Sequence, residues 1–379
     1  MKHAFAVALL LAALGFGALH AADDTGPKAA DAITALRDLG KYADAEKAAQ
    51  ALVAARTKSL GAEDKETLRA RLLLARIILE LDRDAAAEAQ LQALLPLVTR
   101  VFGAEQRETL ACKSDLIDAR CAQGRIDKGE EQCRDLISIE ARVLGPEDLE
   151  TLRTRRTLAI IMCVTGRLDE AEPQLRDLLS LLTRVRGATH RDTLGCSADL
   201  LSILTFQGKW EEAREECESL LPIATQMLGP EDKHTLDARS SFVRILTGEG
   251  NRHDAETELR ELVPVVLRVL GAEHRGTLAC QYEFIMSLLA QEKNVEAEET
   301  CRQVLPNADK VLGPENAETL SICYFLAQSL AAQDKTAEAL TYAKRTLDGR
   351  RKTLGFDHPD TQAAQELINE LMKQQAKTP

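Results

Sequence analysis

The chain has 379 residues and a formal net charge of -12, and only 3% of its residues are aromatic. An acidic chain without a basic block is a poor match for nucleic acid. So few rings also argue against a compact, aromatic-lined ligand pocket. Alanine and leucine dominate and no stretch alternates as a strand does, so the expected class is all-α, and the length suits one long solenoid.

The chain begins Met1-Lys2-His3, continues through an apolar run from Ala4 to Leu19, and then reads His20-Ala21-Ala22-Asp23-Asp24. A cationic start, a short apolar segment and a small-residue site have the form of a secretory leader. Residues 1–21 are therefore read as a signal peptide cleaved after Ala21, and the mature chain as exported, periplasmic or secreted. The run is too short and too poor in bulky residues for a membrane span; an uncleaved anchor is the other reading.

Beyond the leader one punctuation mark recurs. Glycines at 61, 103, 145, 187, 229, 271, 313 and 355 follow one another at intervals of 42 residues, and a threonine stands six residues after each, from Thr67 to Thr361. Self-similarity at a fixed period of this size marks a solenoid. A cation usually stands three residues before the glycine (Lys58, Arg100, Arg142, Arg184, Arg268, Lys310, Lys352) and an acid two after it (Glu63, Glu105, Glu147, Glu231, Glu273, Glu315, Asp357). These are the charges that suit the end of one helix and the start of the next. Gln226 stands where the cation is missing.

A second turn lies 21 residues out of phase, at Gly40, Asp82, Gly124, Gly166, Gly208, Gly250, Glu292 and Asp334. Five residues later a small residue follows each time, from Ala45 through Gly129 to Ala339, where two helices are expected to approach closely. Helix B of each repeat begins at this turn, with an apolar stripe such as Ala171, Leu175, Leu178 and Leu182. Helix A precedes it, with a core column at Leu74, Leu116, Leu158, Leu200, Phe242, Phe284 and Leu326. Arg120 interrupts the next column. Pro96, Pro222, Pro264 and Pro306 share one column of helix B and are expected to kink it. Neither helix pair can bury its apolar faces alone, so stacking must supply the core.

The Leu158-Ala159 pair, the Gly166 turn, Ala171, Pro173 and the linker Leu354-Gly355-Phe356-Asp357-His358-Pro359-Asp360-Thr361 resemble the tetratricopeptide repeat, in the 42-residue variety of kinesin light chains. The resemblance implies a right-handed superhelix of antiparallel hairpins. Eight of them span residues 22–358, and a capping helix and tail occupy 359–379. It also implies that helix A lines a concave surface on which protein or peptide partners bind. The paired asparagines that kinesin light chains carry on helix A are absent, so their cargo specificity does not transfer.

No motif for nucleophilic catalysis, phosphate binding or dinucleotide binding occurs. The reading is a non-enzyme without cofactor or metal; His190, His274 and His358 share a linker column but stand two hairpins apart. Nine cysteines are present. Cys112 and Cys133, Cys196 and Cys217, and Cys280 and Cys301 sit nearly level across three hairpins, making these pairs candidate disulfides in an exported chain. The alternative is that cysteine fills small core sites and an 84-residue duplication copied it.

Two patches are expected on the concave side. Tyr282, Glu283, Met286, Tyr324, Phe325 and Gln328 form an aromatic one; Arg69, Arg76, Arg153 and Arg156 form a basic one suited to an acidic partner. The expected function is a non-catalytic scaffold for a protein or peptide. A recruiting subunit of a cell-envelope enzyme or secretion assembly, and a structural spacer, are the alternatives.

Overall fold

The structure is a computed structural model that describes residues 27–376; the expected leader, residues 1–21, and the last three residues of the tail lie outside them. The described residues form seventeen α-helices and no strand. The helices follow one another as hairpins. These are α1 (Pro27–Asp38) with α2 (Tyr42–Leu60), α3 (Lys65–Glu80) with α4 (Asp84–Phe102), α5 (Arg107–Ala122) with α6 (Gly129–Val143), and α7 (Leu149–Val164) with α8 (Leu168–Arg186). Then come α9 (Arg191–Phe206) with α10 (Trp210–Met227), α11 (Lys233–Gly248) with α12 (Arg252–Val269), α13 (Arg275–Leu289) with α14 (Asn294–Val311), and α15 (Ala317–Ala331) with α16 (Thr336–Thr353). Helix α17 (Pro359–Gln375) follows. The chain gathers into two compact units, one through Ile203 and one from Leu204, with the division inside α9. The sequence suggested a single uninterrupted stack because its period runs through this point without insertion or deletion.

In each unit the core lies between hairpins. In the first, Leu68, Leu72, Leu91, Leu94, Val98, Cys112 and Leu116 form one buried cluster across α3, α4 and α5. In the second, a cluster from Leu278 to Leu371 joins α13 through α17. No single hairpin supplies either cluster, which is why stability here is a property of neighbours.

The linkers show how the repeating residues work. Asp64, Asp148, Asp232, His274, Asn316 and His358 are N-caps, each accepting a hydrogen bond from the backbone N–H two residues on. The histidine column is thus a capping column. The acid one residue earlier has a different task. Arg100, Arg142, Arg184, Arg268, Lys310 and Lys352 each bridge to the linker acid of the preceding repeat: Glu63, Glu105, Glu147, Glu231, Glu273 and Glu315. The expected partner of each charge was a helix dipole; the structure pairs the two charges with each other instead. These pairs are exposed and screened by solvent, so each contributes little to stability. The corresponding sequence positions Thr189 and Gln226 are both uncharged. The recurring threonine closes the linker: Thr109, Thr151 and Thr193 donate to the carbonyls of Gly103, Gly145 and Gly187 at 2.7–2.8 Å.

The turns between the helices of a hairpin need a left-handed residue. Asp82, Glu292 and Asp334 adopt it at φ 53–59°, where five other repeats use glycine. The helices that contain Pro96, Pro222, Pro264 and Pro306 run on through them without interruption.

One hairpin departs from the pattern. Helix α6 starts at Gly129, five residues after the Gly124 turn, whereas α8 starts at Leu168, two after Gly166. Lys128 occupies a position that carries Glu170 in the next repeat, and a cation opposes the positive start of a helix. Glycine next to it lowers helix propensity further. The unwound turn leaves an opening of about 260 Å³ bordered by Ile117, Arg120, Cys121, Lys128 and Gln132.

Close approach is also visible at Gly349, where a Cβ would come within 2.5 Å of the buried Leu320 side chain. Gly349→Ala is expected to cost roughly 1–3 kcal/mol by overpacking. A fall in thermal midpoint, with the same helical circular dichroism at 20 °C (~ambient), checks it; an unchanged midpoint contradicts it.

Candidate functional site

The first helices of successive hairpins also touch one another, α3 with α5, α5 with α7, α13 with α15 and α15 with α17. They form the crowded inner side of each unit, and the side chains they place there are the candidates for function.

In the first unit this side is filled by charge. Arg76 on α3 bonds Asp115 on α5 at 3.2 Å and Glu150 on α7 at 3.0 Å. Arg153 on α7 reaches the same Asp115 at 2.5 Å, Asp118 at 3.2 Å and Glu150 at 3.3 Å. Arg156 pairs with Asp199 on α9, and Arg69 with Glu66 and Glu108. Asp115 is 1% exposed. Burial alone would push the Glu150 carboxyl up, but Arg76 and Arg153 outweigh it and hold the group down at about 2. The four arginines therefore do not make the basic, acid-seeking region expected of them. Each is answered by carboxylates of its own or of nearby inner helices. Thr154 donates to Ser114 at 3.0 Å and completes the filling.

In the second unit the inner side is apolar and aromatic. Tyr282 on α13 and Phe325 on α15 have ring centroids 5.6 Å apart, and Tyr324 lies 6.3 Å from Phe325. All three rings are half-buried, with one side against the core. Met286 is 39% exposed and Gln328 is partly exposed. The structure thus brings the rings together and sets Met286 and Gln328 in the adjoining column. Glu283 lies 3.8 Å from Arg244, and burial pushes its carboxyl up. Two members were not foreseen. The Arg244 guanidinium stacks 4.6 Å from the ring centre of Phe206, which is 62% exposed. Arg244 shares the helix column of Met286 and Gln328, 42 residues apart, and that register could have pointed to it.

The cysteines correct a second expectation. All nine are free thiols. Sulfurs of the candidate pairs face different neighbours: Cys112 faces the Leu91 carbonyl at 3.7 Å and Cys196 the Leu175 carbonyl at 3.7 Å, both in the preceding repeat. Cys217 faces the Ala238 carbonyl, in the following repeat, at 4.0 Å. Level positions in a hairpin did not ensure that the side chains point at each other. Burial pushes the thiols of Cys112, Cys133, Cys217 and Cys301 up to about 12, so they are small apolar fillers. Unreduced, denatured protein is expected to titrate nine thiols; a count of three would restore the bridges.

No group of metal-binding side chains occurs among the described residues, and no described helix is long and apolar enough to cross a membrane. An open depression of about 520 Å³ runs along α10 past Leu221 and Pro222 to Phe242. Nearly all its wall is one helix, so it encloses nothing.

This architecture is that of an α-helical repeat solenoid. Two tetratricopeptide-repeat profiles match the chain, over residues 108–184 and 319–360. No curated protein matches its sequence. Among solved structures, a Rap protein complexed with Competence and Sporulation Factor superposes with a TM-score of 0.62 at 11% identity, covering 94% of this chain and 100% of that one. The apo form of the quorum sensor NprR from B. thuringiensis gives 0.57 at 15%, covering 91% and 98%. A kinesin light chain-type protein of nearly identical TPR-like repeats from Podosopora anserina gives 0.41 at 21%, covering 53% and 95%. Residues 108–184 and 319–360 are thus tetratricopeptide repeats by family profile.

Proposed function

We propose that this protein is an exported, non-catalytic scaffold that holds a protein or peptide partner on the inner face of its second unit. The carrying observation is the group of exposed and half-buried apolar side chains on first helices of that unit, Phe206, Met286, Tyr282 and Phe325. Aromatic and methionine side chains grouped in this way supply binding energy at interfaces. The inner face of the first unit, whose charges satisfy one another, acts as a rigid support. Tetratricopeptide-repeat folds serve typically as interaction scaffolds, which agrees with this reading. Export rests on the form of residues 1–21.

Binding of a displayed peptide library to the full chain tests the docking reading. Met286→Ala, at a site open enough to leave the fold intact, is expected to weaken captured peptides by about 1 kcal/mol or more. Unchanged affinity in that variant, and in Phe325→Ala, would place the partner elsewhere. For export, N-terminal sequencing of protein from a cell-envelope fraction is expected to begin at Ala22; a chain retained with Met1 in the cytoplasm contradicts it.

A further inference from the structure

The aromatic face has a chemical bias, and it is opposite to the one expected from the arginines. Glu366 continues the column of Tyr282 and Tyr324 into α17, and Glu370 continues that of Met286 and Gln328, each 42 residues on. Glu318 lies at the start of α15. All three carboxylates are exposed, and among the described residues none takes part in an ion pair or a side-chain hydrogen bond. Their presence is felt by the rings. Burial first, then Glu366 and Glu370, raise the Tyr324 phenol; burial first, then Glu283 and Glu318, raise that of Tyr282.

The two arginines that reach this face are already in use. Arg244 is stacked on Phe206 and lies beside Glu283. Arg350 is 7% exposed, donates to the Asp360 carbonyl at 2.9 Å and to Ser321 at 3.2 Å, and stacks 4.9 Å from the centre of Tyr324. Arg350 shows, from the core side, how these rings accept a cation. Ring faces and unanswered carboxylates together form a surface complementary to a cation with an apolar neighbour. The chain's formal charge of -12 adds long-range attraction of the same sign.

We infer that the partner is a basic peptide segment, in which a lysine or arginine flanked by apolar side chains lies across Tyr282, Phe325 and Met286 and is answered by Glu318, Glu366 and Glu370. This rests on the docking reading above and adds the partner's charge to it.

A random dodecapeptide library selected on the full chain tests the inference. Enriched peptides are expected to carry lysine or arginine beside apolar residues. A synthetic copy should bind less tightly as salt rises. It should weaken about tenfold when Glu318→Gln, Glu366→Gln and Glu370→Gln are combined. It should weaken likewise in Met286→Ala with wild-type circular dichroism. Neutral or acidic peptides that still depend on Met286 would overturn the basic partner and leave the docking face standing. Basic peptides indifferent to both Met286→Ala and Phe325→Ala would also overturn it, as a diffuse charge effect. No enrichment on wild type beyond a Met286→Ala, Phe325→Ala double variant would remove the face itself.

Discussion

Asp115→Ala is expected to destabilise the first unit by about 3–5 kcal/mol, the cost typical of breaking a buried ion pair from one side. Asp115 is the shared acceptor of Arg76 and Arg153, which reach it from α3 and α7, and it is 1% exposed. Its removal leaves two guanidiniums facing one another across the vacancy, with Glu150 and Asp118 as their remaining answers. The repulsion between Arg76 and Arg153 is already felt in the intact network. Replacing the whole set by apolar residues of similar volume is a different experiment, because no charge is then left unanswered; it is expected to be nearly neutral or stabilising. Thermal and urea unfolding of Asp115→Ala beside a variant that replaces all five members, Arg76→Leu, Asp115→Leu, Asp118→Leu, Glu150→Leu and Arg153→Leu, separates the cases. A loss under about 1 kcal/mol in the single variant would show that water reaches the network.

The second large effect depends on pH. Glu140 on α6 is fully buried, neither carboxyl oxygen has a hydrogen-bond partner, and burial pushes the group up to about 8. Arg153, Glu150 and Asp148 face it from α7 and the residue before that helix; Arg153 favours its charged form and the two acids oppose it. Arg56 and Arg350 occupy the same repeat position, and each donates to a backbone carbonyl ten residues on, at Glu66 and Asp360. The unfolded chain ionises this group near the ordinary glutamate value, and the folded chain does so only near 8. The unfolded state therefore binds fewer protons between those values, and stability falls as pH rises from about 4.5 to 8. Glu140→Gln is expected to abolish that slope and to be more stable than wild type above pH 8 by roughly 3–5 kcal/mol. Urea midpoints of both proteins from pH 5 to 9 (an approximate window around the shift) decide it. Parallel curves would mean that Glu140 is ionised in the fold.

Two sequence signals were available but point to structure only with hindsight of packing. Lys128 and Gly129 stand where other repeats carry an acid or alanine and alanine, and α6 starts late in consequence. The acid of each linker and the cation of the next linker lie 37 residues apart, and both charges are missing together at Thr189 and Gln226. The aromatic group was legible because Tyr282, Tyr324 and Phe325 share two adjacent helix columns. The arginine group was misread for the same reason, since columns reveal which residues are near but not which charges cancel.

The amino-acid sequence by itself determined the helical hairpins, their period and their capping, because these depend on local backbone preferences and on apolar spacing that repeats 42 residues at a time. Tertiary structure alone decided the rest. Whether Arg76 is a ligand-seeking cation or a filled one depends on Asp115 and Glu150, residues 39 and 74 positions away. Whether Cys112 can meet Cys133 depends on which neighbouring helix its sulfur faces. Such outcomes follow from side-chain direction and from charges contributed by other repeats, and neither is encoded in the spacing within one.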